Sequence, residues 1–596
     1  MSAKLHKILL TCGFRYVFSR DFPKNAFFYK KGLWEEGHYS KKYKTDGGDF
    51  SVALLFKGDP HIELPHAILT EIPDQYTGRL VPHINYGLGL CYVEEMEADW
   101  NPNNLAGLYR QVDKQIQKTL NCAVKAVNNG LADEIELEGE FSAYWEPTGK
   151  LYLLCNVNES IHVSMHLLHM KKSELRVDQF LTYDKNDRAT PAKWLACQGY
   201  TVDEVDMMHA DTHFIKCSPS KLAGVEWPPG NLKYLVRWLS EVDQKARNQL
   251  VTMLVETSSE KNVVILDVSN QGLLAFSVEI SRGIIKKWKA RKGKSKAFKI
   301  IEASSRLTSP LTSRNFQRLK VIDASRDALL SRNIKKDNRI TLSEKRIALI
   351  GCGTIGGYLA GLLLRNSAGC GENSLHLYDK DTLSPHNFSR HSLPSNYFNS
   401  NKATALAANL VNSTYIANQE SIKGFPENFP INNKKLEEYD IIIDATGRGP
   451  VSKRLAHIAR TLDLSKRPIL IHAFNDGNGR ASKVFVDDGR CCYGCLVSDP
   501  KTYSNENDIR FGAIDISAER VAVCGGTYTP YSAAVSHITA ALALQSILNL
   551  LDNEIDWNYS ECMLNGDQSK QPLILTANPR CRICGTERLK ATNDSA

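Results

Sequence analysis

The twelve residues Arg346-Ile-Ala-Leu-Ile-Gly-Cys-Gly-Thr-Ile-Gly-Gly357 pass from an apolar strand through a glycine-rich turn into a helix pattern. Gly351, Gly353 and Gly356 stand directly after the strand and at the mouth of the helix, so backbone N–H groups there can face a phosphate without Cβ obstruction. Further strand patterns at 374–378 and 440–444 alternate with helix patterns, which implies a parallel, doubly wound sheet. Taken alone, such a turn most often holds a nicotinamide or flavin cofactor, with ATP as the other candidate.

The residues that follow change this reading. The second strand runs into Asp379-Lys-Asp-Thr-Leu-Ser-Pro-His-Asn-Phe-Ser-Arg390, and Lys402 comes twelve residues after Arg390. A dehydrogenase needs only the first acid, for a ribose, and has no use for an Asn, an Arg and a Lys converging on phosphates. Those cations suit a triphosphate attacked at its α-phosphorus, because charge accumulates on the β and γ groups as pyrophosphate departs.

At roughly 100–200 residues per domain, a chain of 596 residues holds several domains. Residues 1–155 read as α+β, with the strand-like stretch Phe50-Ser-Val-Ala-Leu-Leu-Phe56 among aromatic-rich segments. Residues 156–315 read as a connecting domain and linker with strands at 263–268 and 272–278, and 316–596 as the α/β domain of the glycine turn. The content of 42% hydrophobic and 23% charged residues excludes a fibrous or wholly disordered chain. The formal charge of +8 is carried by the segment 286–299, which has eight basic residues and no acid. It reads as a solvated hairpin or linker before a nucleic-acid contact, since no nucleic-acid motif accompanies it. The most hydrophobic stretch, 540–551, is interrupted by Gln545, Ser546 and Asn549, and the N-terminus lacks a secretory pattern. No membrane span and a cytoplasmic location are therefore expected.

The glycine turn and the Asp-x-Asp-(x)5-Asn-x-x-Arg spacing resemble the ThiF/HesA/MoeB superfamily of adenylating enzymes, which includes the ubiquitin-activating enzymes. The resemblance implies that Asp379 holds the ribose hydroxyls of ATP, Asn387 and Arg390 the phosphates, and Lys402 the β/γ-phosphate region. It further implies that Asp444 holds Mg2+, although Gly447 replaces the second acid that the family often carries three positions later. Arg332 stands where many members lend an arginine to the nucleotide of a partner subunit, so a homodimer is implied.

Fifteen cysteines are too few for a disulfide scaffold, so their spacing decides their use. Cys492-Tyr-Gly-Cys495 and Cys581-Arg-Ile-Cys584, with 85 residues between them, suit a closed tetrahedral Zn2+ site, an arrangement also found in the superfamily. Cys491 is a neighbour that could shift the register, while Cys352 and Cys370 read as packing residues. Between the pairs lies Val523-Cys-Gly-Gly-Thr-Tyr-Thr-Pro530, ahead of a long apolar helix pattern. Cys524 is expected near that helix N-terminus, where the dipole promotes the thiolate. The loop resembles the catalytic-cysteine loop of autophagy-type activating enzymes.

Near the N-terminus, prolines at 60, 65 and 73 precede His83-Ile-Asn-Tyr-Gly-Leu-Gly-Leu-Cys91, and then Trp100-Asn-Pro102 and a helix pattern. This order resembles a ubiquitin-conjugating fold, with Ile84 in place of the usual proline and a shorter interval to the cysteine. The resemblance implies that Cys91 takes an acyl group from Cys524 and that Asn85 stabilises the oxyanion when an amine attacks, with His83 shaping the loop. A conjugating-like domain ahead of an adenylating one resembles the conjugating–activating fusion enzymes of CBASS antiphage operons. In that family the C-terminal tail of a cGAS-like nucleotidyltransferase is joined to a target amine such as a lysine. Other readings are an activator of a ubiquitin-like or sulfur-carrier protein, which has no use for the N-terminal domain, a nicotinamide-dependent oxidoreductase, and a scaffold with degenerate sites.

Overall fold

The computed structural model describes residues 3–18, 37–56, 58–85, 87–93, 101, 103–129, 141, 143–157, 162–170, 179–187, 189–201, 205–222, 224–289, 296–332, 341–504, 506–512, 515, 518–519, 521–523, 526–552, 557–579 and 581–585. They form two compact units, one of residues 1–191 with 201–325, the other of 192–200 with 326–596.

In the first unit an antiparallel meander runs through Arg15–Val17, His38–Thr45, Gly48–Leu55, His66–Glu71 and Gly89–Leu90. Alternation in Gly48–Leu55 turns Phe50, Val52 and Leu54 inward. They meet the helix Leu105–Asn129, whose buried residues Leu105, Leu108, Tyr109, Val112, Ile116, Leu120 and Ala123 recur at helical spacing on one face. This is the α+β domain expected from sequence.

The same unit contains a closed barrel of seven strands, in the order Lys261–Val268, Gly272–Ile280, Ser313–Asp323, Gly149–Leu153, Gln179–Asp184, His162–Met170 and Val205–Cys217, the last pairing back on the first. The barrel spans both expected divisions: Gly149–Leu153 lies before 155/156 and the other strands after it, while Ser313–Asp323 itself crosses 315/316. Parallel pairing between Gly149–Leu153 and Ser313–Asp323 joins residues far apart in the chain, so their edges carry no local boundary signal. Backbone bonds between Leu80 and both Gly224 and Val225 fasten the meander to this half of the unit. The described parts of the basic run, expected as a hairpin or linker, are helical. The run is divided between the helices Arg282–Lys289 and Lys296–Leu307, and residues 290–295 lie outside the described residues.

The second unit is built on a seven-stranded sheet in the order Ile422–Phe425, Leu375–Tyr378, Ile347–Ile350, Ile441–Asp444, Ile469–Asp476, Ala481–Asp487 and Tyr559–Met563. The first five strands pair in parallel, and the last two pairings are antiparallel. The helices Thr354–Arg365, Lys402–Ser413 and Ala533–Leu551 contribute to one apolar layer, and Gly449–Arg460 contributes to a second with Tyr378, Phe429 and Tyr439. Ala533–Leu551 is long and apolar enough to cross a membrane by length and composition. Here it packs as a core helix, burying Val535, Ala540, Ala543 and Ile547. The chain leaves strand Ile347–Ile350 toward one edge and returns to its other side at Ile441–Asp444. Ligands bind in parallel sheets at such a switch point, outside the carboxyl ends of the strands.

His376, on strand Leu375–Tyr378, lies edge-on to Phe425 and 2.8 Å from the Tyr439 hydroxyl, and burial pushes its imidazole down to about 4. A histidine kept neutral in the fold contributes stability that is present above its unfolded value of about 6.5 and is lost as pH falls toward the folded value. Urea unfolding at pH 5 against pH 7.5 is therefore expected to lose about 1 kcal/mol through this residue, since its partial exposure screens the effect. His376→Gln should remove that share of the pH dependence. An unchanged slope would show that His376 does not carry it.

Candidate active site

The glycine turn lies at the switch point. Gly351 has φ +88°, and a Cβ there would stand 3.0–3.1 Å from the backbone of Ala445 and Thr446. A Cβ on Gly356 would fall 1.9 Å from the Gly351 carbonyl oxygen, so only glycine lets the helix approach the turn. At Gly353, the helix N-cap, a Cβ would meet nothing within 4 Å, which makes this the open side of the turn.

Asp379 follows strand Leu375–Tyr378 and folds back on the turn, accepting hydrogen bonds from the Cys352 amide at 2.7 Å and the Asp381 amide at 2.8 Å. Asn401 caps the next helix and bonds the Asp379 carbonyl at 2.7 Å, which sets the position of Lys402 at the helix start. The largely buried Lys402 ammonium lies 3.4 Å from Asp381. Asn387 accepts from the Ser384 amide at 3.0 Å, leaving its Nδ2 as the donor. Arg390 donates to the Thr529 carbonyl at 2.9 Å and stacks on Tyr531. The turn, Asp379, Asn387, Arg390 and Lys402 thus belong to segments that leave the carboxyl ends of two neighbouring strands. Arg332 is exposed after the helix Arg326–Ser331.

Asp444 departs from expectation. Its carboxylate is buried, accepts from the Thr446 amide and hydroxyl at 3.1 and 2.7 Å and from Ser452 Oγ at 2.5 Å, and lies 3.1 Å from His472 Nδ1. Burial alone would raise its carboxyl, but the contacts from His472, Ser452 and Thr446 hold it below the usual range. Both oxygens are engaged inside the protein, so the arrangement does not fit a Mg2+ ligand. It fits a wedge between the strand end and the helix Gly449–Arg460.

The four expected sulfur ligands do converge. Cys492 Sγ lies 3.8 Å from that of Cys495 and 3.5 Å from that of Cys581, Cys495 Sγ lies 3.2 Å from that of Cys584, and all four fall within 4.8 Å of one another. Tetrahedral zinc at about 2.3 Å from each sulfur would space them by about 3.8 Å, so the buried set fits the metal. Gly494 is required inside the first pair, because a Cβ there would come within 2.9 Å of Cys581 Sγ. Cys491 Sγ instead accepts from Asn558 at 3.2 Å. Cys352 and Cys370 are buried, and burial pushes the Cys370 thiol up to about 11.

Sequence reasoning missed Lys483. It is wholly buried on strand Ala481–Asp487, 2.6 Å from both Asp476 and Asp508, while Arg510 bridges Asp508 and Glu561. This network pins the segment 503–511 to the sheet. Its signal was a lysine directly before the apolar run Val484-Phe485-Val486 of a strand.

In the first unit, Cys91 is exposed just past Gly89–Leu90, and its amide donates to the His83 carbonyl at 2.8 Å. His83 has φ +64°, and Asn85 Oδ1 accepts from Gly89 at 2.8 Å, closing the loop. One hairpin therefore gathers the three residues. Trp100, Pro102 and Cys524 lie outside the described residues. Strands Val521–Val523 and Gly526–Tyr528 pair on either side of Cys524 in the chain, and the helix begins only at Ala533.

Residues 20–154 match the Prokaryotic E2 family B, and residues 325–583 match the ThiF family. The chain is 48% identical to the ATP-dependent ubiquitin transferase-like protein Cap2 of Vibrio cholerae serotype O1, across 98% of this chain and 100% of that protein. To the protein of the same description from Escherichia coli strain TW11681 it is 44% identical, across 98% and 99%. The solved structure of E. coli MccB with MccA-N7isoASN covers 41% of this chain and 68% of its own, at 16% identity and a TM-score of 0.31.

Proposed function

Because the chain belongs to the family of ATP-dependent ubiquitin transferase-like Cap2 proteins, we propose that it activates the C-terminal carboxylate of a partner protein and passes it through two thioesters to an amine. The carboxylate attacks the α-phosphorus of ATP, forming an acyl-adenylate and releasing pyrophosphate. The Cys524 thiolate displaces AMP, the Cys91 thiolate displaces Cys524, and a target amine such as a lysine displaces Cys91 to leave an amide, with one proton lost from the amine. Fusing both cysteines in one chain raises their effective concentration for the second transfer.

The observation that supports this most directly is the nucleotide rim. Asp379, held on the Cys352 amide beside the open side of Gly353, suits ribose hydroxyls, and Lys402, Arg390 and Asn387 suit phosphate oxygens. Asn85 would donate through Nδ2 to the oxyanion at Cys91. Zn2+ on Cys492, Cys495, Cys581 and Cys584 would staple the chain end to the sheet without entering the chemistry. No step is assigned to Mg2+, since Asp444 does not offer it a free oxygen. The preferred carboxylate partner is a cGAS-like nucleotidyltransferase in CBASS antiviral defence, and the preferred assembly is a homodimer with Arg332 reaching the partner's nucleotide.

ATP–pyrophosphate exchange that depends on the partner's C-terminal tail tests the first step. Asp379→Ala is expected to lower kcat/KM for ATP by about 10- to 100-fold, the worth of hydrogen bonds to a charged group. Exchange that ignores the tail, or an Asp379→Ala variant as active as the wild type, would refute the assignment.

A further inference from the structure

We propose that Tyr531 is a positioning residue of the nucleotide site, which carries the Arg390 guanidinium on its ring and fixes it relative to the glycine turn. The proposal rests on the adenylation reading above and deepens it.

The Arg390 guanidinium carbon lies 4.5 Å from the centre of the Tyr531 ring. The Tyr531 hydroxyl is 3.3 Å from Thr354 Oγ1, on the first residue of the helix that follows Gly353. Gly479 makes room for the ring, since a Cβ there would stand 2.5 Å from that of Tyr531. Tyr531 therefore spans from the turn to the arginine and is seated by a glycine.

An arginine side chain has several free torsions, and its affinity for an anion depends on how many are already restrained. Stacking on a ring face restrains the plane of the guanidinium while leaving its N–H edge free to donate. Nη1 is bound to the Thr529 carbonyl, whereas Nε and Nη2 have no hydrogen-bond partner among the described residues. The arginine is held by its face and one corner, with its remaining donors available for phosphate oxygens. The same contact ties the phosphate ligand to the segment that follows Cys524 in the chain.

The test is Mg-ATP binding and pyrophosphate exchange by the full-length wild type, Tyr531→Ala, Tyr531→Leu, Tyr531→Phe, Arg390→Ala, Asp379→Ala and the double variant of Arg390 and Tyr531. Tyr531→Ala is expected to weaken Mg-ATP binding and raise KM for ATP by about 5- to 30-fold, with a smaller change in kcat, as the loss of a partly desolvated cation–π contact predicts. Tyr531→Leu keeps apolar bulk without a ring face and should lose as much, so a poorly folded Ala variant would not decide the matter. Tyr531→Phe should rescue most of the loss. Adding Tyr531→Ala to Arg390→Ala should cost little more, because the ring then has nothing to hold. The proposal is overturned if Phe and Ala lose equally, or if the two losses multiply in the double variant. If Asp379→Ala weakens Mg-ATP binding while the Tyr531 variants do not, only the positioning role falls. If none of the variants alters it, the nucleotide reading falls as well.

Discussion

Cys524→Ala is expected to abolish every thiol-sensitive adduct formed with Mg-ATP and the partner protein, whereas Cys91→Ala should retain the first adduct and lose the final amide. The reason is the order of the acyl transfers. A carboxylate bound as its adenylate can be captured only by the nucleophile that meets the adenylating site, so without that thiol no sulfur ester forms at all. In the proposed relay Cys91 acts one step later. It is exposed beside a loop in which His83 and Asn85 are locked by the Cys91 and Gly89 amides, a setting that gives an incoming amine access to the acyl carbon. Non-reducing electrophoresis of the wild type and both variants reads the outcome directly. Adducts that persist in the double variant, or an amide product from Cys91→Ala, would defeat the two-cysteine relay.

Loss of the sulfur cluster should have the largest effect on stability. Binding of zinc to four thiolates is worth about 10–16 kcal/mol in small structural sites, comparable with or larger than the whole stability of a domain, about 5–15 kcal/mol. The cluster ties 492–495 to 581–584, so Cys581→Ser or a strong chelator is expected to release the chain end and lower Tm by more than about 10 °C. Cys491→Ser should retain the metal, because its sulfur bonds Asn558 rather than the cluster. Metal analysis alongside thermal unfolding checks both. Purified wild-type protein without stoichiometric zinc, unfolding at the same temperature with or without chelator, would remove the assignment.

What could be read in the sequence was whatever a short stretch of chain enforces. The glycine turn declared itself because φ +88° at Gly351 and the close approach at Gly356 exclude side chains on the spot. The two Cys-x-x-Cys pairs were legible because each spacing brings two sulfurs together within one turn. The meander and its helix were legible because residues such as Phe50, Val52 and Leu54 alternate, while Leu105, Leu108, Val112 and Ile116 recur at helical intervals. Asp444 was misjudged for the opposite reason. Its position after a strand is local, but the donors that occupy it come from Ser452 on the next helix and His472 on the neighbouring strand. Lys483 was missed because its partners Asp476 and Asp508 reach it only through folding.

The sequence by itself determined the doubly wound domain, its glycine turn, the two Cys-x-x-Cys pairs and the α+β start of the chain, because each follows from spacing within a few dozen residues or from a repeated local motif. Only the tertiary structure decided that seven strands close a barrel across the expected boundaries, that the Asp444 carboxylate is already satisfied, and that Tyr531 carries Arg390. Those outcomes depend on pairings between distant segments, whose geometry arises when the sheet and its crossovers pack and leaves no mark on the order of neighbouring residues.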